Sequence, residues 1–289
     1  MNLQKEEQGM VPDVISLTED QIRFFHRRGY LAIPRLTDDA EVARLRQSYD
    51  RIFSERAGRD LGDQFDLAGR DEEGGKQALP QILHPATYAP EMNDSLLLRN
   101  GRYVAQQLLG PEATCEIAHA IFKPAEFGAE TPWHQDAAYW SPELLYQAIS
   151  IWVPLQEATE ENGCMQFVPE SHKLDVVRHR SINNDPRIHG LELHPEAAEL
   201  ARQFVSCPLP PGGATFHGPY MLHHTGPNRS QTPRRALILN AGLPPTARTI
   251  ALRFPWLEEK TTAREARLRA AKEKGLDPGA PPTGAVTRK

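Results

Sequence analysis

Trp133-His134-Gln135-Asp136-Ala137-Ala138-Tyr139-Trp140 (WHQDAAYW, 133–140) carries the densest chemistry in the chain. On extended backbone, residues i and i+2 project to the same side, so His134 and Asp136 offer an imidazole and a carboxylate to one point. A second cluster, Leu222-His223-His224-Thr225, follows with its first histidine 89 residues after His134. Two histidines and one carboxylate make the facial triad of non-haem Fe(II) oxygenases, which leaves coordination positions open. An isolated His-x-Asp is common by chance, and the chain has 11 histidines. His26, His179, His189 and His194 lie in polar or helical stretches and read as surface residues. The company each cluster keeps therefore matters. Thr225 lies two residues after His223, and Arg234 eleven after it, beyond the turn formers Gly226, Pro227 and Asn228. An antiparallel return brings the Arg234 guanidinium near the Thr225 hydroxyl, a good receptor for a carboxylate.

Outward from these clusters, short apolar stretches recur between Gly and Pro signals: 116–122, 148–155, 165–168, 203–207, 214–216 and 236–240. Many short strands with such punctuation predict an antiparallel sandwich or barrel. The first part is helical. Thr18 and Gln21 fit a capping box, with Gly29 as the stop. A second helix opens at Asp38, with Val42, Leu45, Tyr49, Ile52 and Phe53 on a 3.6 period up to Gly58. A third spans 94–109. Residues 58–75 hold five glycines and many charges and read as a mobile lid. Residues 258–275 alternate in charge and read as a solvated helix; the tail from Pro278 reads as disordered. The expectation is one domain over 1–289: a helical part at about 17–110, a jelly-roll core at about 115–245, and a C-terminal helix and tail at about 256–289.

Bulk properties narrow the function classes. The chain has 289 residues, 39% hydrophobic and 25% charged, as in an ordinary globular enzyme. A formal net charge of -5 gives no basis for a nucleic-acid or anionic-membrane partner. Three cysteines, Cys115, Cys164 and Cys207, are too few and too scattered for a disulfide framework. Residues 1–9 are polar, without the apolar run of a signal peptide, and the expected location is the cytoplasm. Tyr139 and Trp140, with Trp133 and Phe122, suggest an aromatic-lined substrate pocket. Arg178 and Arg180 are the cations that could meet a phosphorylated substrate, although a short basic stretch is more often a solvated face.

Taken together, WHQDAAYW (133–140), Glu161-Asn162-Gly163-Cys164, Val168-Pro169-Glu170-Ser171-His172-Lys173 and HHTGPNRSQTPRRAL (223–237) resemble the phytanoyl-CoA dioxygenase family over about 17–243. The resemblance implies a mainly β fold with flanking α-helices, a double-stranded β-helix (jelly roll, cupin-like). It implies Fe(II) on His134, Asp136 and the distal histidine, with 2-oxoglutarate and O2 as cosubstrates. Choosing His223 over His224 as that histidine leaves Thr225 and Arg234 at the family's positions for the far carboxylate of 2-oxoglutarate. Trp152 and His119 resemble residues of the same cosubstrate wall, and Gln81 one at the pocket mouth. Where the family often has Gly, this chain has His224 and Glu170; His172 reads as structural.

The implied reaction couples decarboxylation of 2-oxoglutarate, giving succinate and CO2, to hydroxylation of a small organic molecule. Asp136 favours hydroxylation, desaturation or ring closure over halogenation, because related halogenases lack the carboxylate. Two other classes compete. A zinc hydrolase on the same triad gives Arg234 and Thr225 no task. A non-catalytic binding protein has no need of an intact triad. No pattern bears on oligomeric state.

Overall fold

Helices precede the sheets, as expected, and local chemistry sets their ends. The computed structural model describes residues 15–276; the tail from Pro278 lies outside them. The helices are α1 (Glu19–Arg28), α2 (Asp39–Ser54), α3 (Pro85–Tyr88), α4 (Leu96–Leu109), α5 (Pro255–Glu258) and α6 (Ala263–Glu273). At α1, Thr18 Oγ1 accepts from the Gln21 amide at 3.2 Å, and the Gln21 side chain accepts from the Thr18 amide at 2.8 Å. Gly29 ends the helix at φ 84°, and a Cβ there would lie 2.2 Å from the His172 ring, so only glycine fits. His172 thus has a packing role. Helix α2 stops at Ser54, four residues short of Gly58. Its Glu41 is buried and accepts from the Leu96 and Leu97 amides at 2.7 and 2.8 Å, capping α4.

The strands are β1 (Tyr30–Ile33), β2 (Gln64–Asp66), β3 (Pro80–Leu83), β4 (Thr114–Lys123), β5 (Thr131–His134), β6 (Leu144–Leu145), β7 (Ala148–Pro154), β8 (Met165–Phe167), β9 (His179–Ser181), β10 (Leu191–Leu193), β11 (Val205–Cys207), β12 (Ala214–His217), β13 (His223–Thr225), β14 (Arg234–Gly242) and β15 (Thr246–Ala247). A seven-stranded sheet runs β1-β12-β7-β14-β4-β3-β2, and a four-stranded sheet runs β11-β8-β13-β5. All their pairings are antiparallel. This is the two-sheet double-stranded β-helix with flanking helices.

Strand alternation divides the large sheet into two faces. Ile149, Ile151 and Val153 of β7 and Leu237, Leu239 and Ala241 of β14 pack with α1, α2 and α4 into the main core. The intervening residues, among them Trp152 and Ala236, face the small sheet and meet Met165 and Phe167. The reacting centre is built on that inner face. Among the described residues, no helix is long and apolar enough to cross a membrane.

Two expectations need correction. Residues 58–75 are not a free lid: they include the edge strand β2, whose Phe65 is 1% exposed. The sparse apolar pattern concealed this because polar pairing holds the segment. Asp66 accepts from the amides of Ala68, Ala78 and Leu79 at 3.1, 3.0 and 2.9 Å. Asp71 accepts from Arg59 at 2.5 Å, from Gln77 at 2.9 Å and from Arg267 of α6. Nor is 258–275 simply a solvated helix, since α6 lies on this segment: Arg264 donates to the Gly62 carbonyl at 2.9 Å, and Leu268 packs over Gly62.

Asp71, nearly sealed from solvent, thus ties α6 to the rest of the chain. Asp71→Ala removes the buried carboxylate shared by Arg59 and Arg267, leaving Arg59 with Glu73 at 3.2 Å and Arg267 with the Gln64 carbonyl at 3.3 Å, and should destabilise the fold by about 1.5–3 kcal/mol, read from urea unfolding. A loss below about 1 kcal/mol, the scale of an exposed pair, would show that the network is incidental.

Candidate metal centre

The antiparallel pairing of β13 with β5 sets His223 directly opposite His134. Strand β5 ends at His134, Gln135 stays extended, and Asp136 opens a tight turn over Asp136–Tyr139. Alternation across Gln135 therefore still returns Asp136 to the side of His134. Asp136 Oδ1 lies 3.8 Å from His134 Nε2 and 3.5 Å from His223 Nε2. One potential ligand atom from each of the three lies within 4.8 Å of the others.

The backbone sets the tautomers. His134 Nδ1 donates to the Pro132 carbonyl at 2.7 Å, and His223 Nδ1 to the Met221 carbonyl at 2.9 Å. Each ring is left with its Nε2 lone pair facing Asp136. Burial lowers the pKa of both imidazoles, and of His223 well below its usual value, so both are neutral donors. Burial alone would raise the Asp136 carboxyl, but its polar surroundings hold it down and ionised. Its other oxygen accepts from Ser150 Oγ at 2.5 Å and lies 3.4 Å from His217 Nε2. Two neutral nitrogens and one fixed carboxylate oxygen suit Fe(II).

Gln135 locks the strand from behind. It is fully buried; its amide nitrogen donates to the carbonyls of Tyr220 at 2.7 Å and Asp175 at 3.2 Å, and its oxygen accepts from the Val177 amide at 2.8 Å. Its own backbone N–H donates to His179 Nε2 at 3.1 Å. His179 is therefore a buried strut, 2% exposed, contrary to its surface reading.

The cluster opens into a cavity of about 670 Å³ lined by the residues expected to hold metal and cosubstrate and by three of those expected to meet substrate: His134, Asp136, His223, Arg234, Thr225, Trp152, His119, Gln81, Tyr139 and Trp140. Arg234 is 1% exposed, and its Nε and Nη1 have no hydrogen-bond partner among the described residues. Its guanidinium carbon lies 5.4 Å from the centre of the Trp152 ring. A buried guanidinium with unused donors, facing a cavity, is built for a carboxylate that the protein does not supply. Thr225 Oγ1 lies 3.0 Å from Thr131 Oγ1. Arg235 faces away and pairs with Asp50 at 2.6 and 3.1 Å. His224 reaches the cavity edge, but its nitrogens meet Gln166 at 2.8 Å and Glu130 at 3.1 Å.

The sequence profile of the phytanoyl-CoA dioxygenase family matches residues 25–236 of this chain. The chain belongs to the phytanoyl-CoA dioxygenase family. A probable phytanoyl-CoA dioxygenase of Caenorhabditis elegans is 24% identical, covering 76% of this chain and 74% of that protein. A probable alpha-ketoglutarate-dependent hypophosphite dioxygenase of Stutzerimonas stutzeri is 26% identical, covering 76% and 77%. The crystal structure of EvdO2 from Micromonospora carbonacea var. aurantiaca complexed with 2-oxoglutarate is similar at a TM-score of 0.70 and 35% identity, covering 84% of this chain and 98% of that one. The protein is an Fe(II)/2-oxoglutarate-dependent dioxygenase, with O2 as oxidant. The hydrolase and binding-protein readings give way to it.

Several residues of the dioxygenase cavity escaped the sequence reading. Ser150 and Asn240 could have been found by strand alternation, lying two residues before Trp152 and six after Arg234 on the same faces. His217 sits in no motif. His189 lines the cavity and stacks on Tyr139 at 6.1 Å, so it is not a surface residue. Trp133 stacks outward on His224, and Phe122 packs beneath Arg235; neither is in the lining. Arg178 and Arg180 pair with Glu196 and Glu192 beside a separate groove.

His223→Ala should remove metal affinity by more than the roughly 10–100-fold that loss of an outer partner costs, Ser150→Ala should fall within that range, and His224→Ala should cost little. Isothermal titration with Fe(II) under nitrogen measures all three. Retained affinity in His223→Ala with loss in His224→Ala would shift the register of the distal strand by one residue.

Proposed function

We propose that this dioxygenase hydroxylates a small organic substrate, with His134, Asp136 and His223 holding iron and with Arg234 and Thr225 receiving the far carboxylate of 2-oxoglutarate. The observation that carries this reading is the placement of an unsatisfied, sealed guanidinium in the same cavity as the three convergent donors. When bound, iron and 2-oxoglutarate supply the activation of dioxygen, with succinate and CO2 as by-products. The chain's own groups do the positioning. The carbonyls of Pro132 and Met221 aim two imidazoles, while Ser150 and His217 orient the carboxylate. Trp152, Ile238, Met165 and Ile121 give the cavity apolar walls that exclude water. We propose one oxygenase unit over residues 1–289, working in the cytoplasm; the three cysteines, all free and buried, suit a reducing compartment.

Arg234→Ala should weaken 2-oxoglutarate by about 1.5–3 kcal/mol, roughly 10- to 150-fold, the loss of a charge-assisted bond. Arg235→Ala should leave that affinity unchanged and lower stability instead. The overall reaction is checked by coupling: purified enzyme with Fe(II), 2-oxoglutarate and O2 should release succinate, and a true substrate should accelerate that release in step with its own gain of one oxygen atom. Product without succinate, or equal effects at Arg234 and Arg235, would sink the assignment.

A further inference from the structure

The cavity has a second group of cations besides Arg234, and it comes from the C-terminal segment. Lys260 is 6% exposed; its Nζ donates to the His189 carbonyl and lies 5.5 Å from the centre of the Tyr139 ring. Arg264 donates to the Gly62 carbonyl and lies 5.3 Å above Phe65. Neither makes an ion pair among the described residues. Arg269 and Lys272, further along the same face of α6, form the exposed outer rim. The carboxylates lining this outer part are Asp63 and Glu265. Both are engaged, Asp63 by the Tyr88 hydroxyl at 2.8 Å and Glu265 by the Thr262 amide at 3.3 Å.

Formal charge sharpens the point. Divalent iron and one guanidinium offset Asp136 and a dianionic 2-oxoglutarate, so the inner site is neutral when loaded. The outer cavity then keeps four cations against two carboxylates. Burial is costly for both cations, and the nearby carboxylates, Glu265 for Lys260 and Asp63 with Glu265 for Arg264, offset only part of that cost. Burial pulls Lys260 down to about 7 and lowers Arg264 as well.

We infer that the substrate is an amphiphilic anion whose carboxylate or phosphate is held by Lys260 and Arg264, with its apolar body against Tyr139, Leu67, Leu83 and Ile121 and directed toward the triad. This rests on the functional reading above and gives it a substrate class. The lining brings these cations, the apolar wall and the metal cluster into one space, so a molecule anchored at Lys260 has a carbon to present to the reacting centre. The competing role for Lys260 and Arg264 is mechanical, since each also ties a loop carbonyl to this segment.

The test separates charge from tether. The full-length enzyme, loaded with Fe(II) and saturating 2-oxoglutarate under nitrogen, is titrated by calorimetry with benzoate, phenyl phosphate and benzamide. The visible absorption band of the iron–2-oxoglutarate complex reports loading independently. At least one anion should bind about tenfold more tightly than benzamide, the scale of one charge-assisted bond; which anion binds better separates a carboxylate from a phosphate substrate. Lys260→Gln and Arg264→Gln keep a donor for the carbonyl but remove the charge. Each should abolish the preference while leaving the absorption band and the thermal midpoint unchanged. Equal binding of all three probes, binding of none, or a preference that survives both substitutions overturns the inference. An anion preference with no absorption band would leave this inference standing and strike the metal assignment instead.

Discussion

Everything in the centre depends on how one short strand is registered. Strand β13 has three residues, and its pairing with β5 sets His223 against His134. Because side chains alternate, a slip of one residue would send His223 outward and bring His224 in. Buried polar groups hold the register. Lys123 is completely enclosed, with its Nζ on the carbonyls of Thr225 and Gly226. Asn228, also enclosed, donates to the carbonyls of Lys123, Pro124 and Thr232 at 3.1, 3.0 and 2.8 Å. These contacts fix the turn after β13 and so the point at which β14 begins, with Arg234 inward. Gly163 completes the fit: at φ 88°, any Cβ there would lie 2.4 Å from the Gly226 carbonyl.

The same economy is visible in the ionisation states. Histidine 119 is pulled down to about 4, and His189 and His223 are also depressed, each mainly by burial. A cavity wall so rich in imidazole is therefore mostly uncharged. Its fixed charges sit at defined places: Asp136 among the donors, Arg234 beside Trp152, and, in the outer part, Asp63 with Glu265 and the lysines and arginines of the C-terminal segment. Polar groups are concentrated where a bound group needs them, and the rest of the lining is low in polarity.

The sequence revealed most where periodicity and motif agreed. Strands β4, β7 and β14 were legible as apolar stretches between turn formers, with Ile149, Ile151 and Val153 alternating along β7. The triad and Arg234 were legible because spacing along strands converts directly into direction. Strand β2 was not: Gln64-Phe65-Asp66 has one apolar residue, and what holds it are side-chain bonds to residues up to 203 positions away. Helix α6 misled for a related reason. Arg264, Leu268 and Lys272 share a face by the helical repeat, but their charges resemble those of any solvated helix. Only the tertiary contact with the 58–75 segment shows that this face looks into a cavity.

The location of that wall has a consequence for how the chain can vary. The family profile ends at residue 236, whereas Lys260 and Arg264 lie beyond it. Substitutions in the C-terminal segment can therefore reshape that end of the cavity without touching the residues that set the register of β13 or the donors it presents. The two parts of the cavity are thus separable along the chain: the three donors, Thr225 and Arg234 lie inside the matched residues, and the C-terminal cations lie outside them.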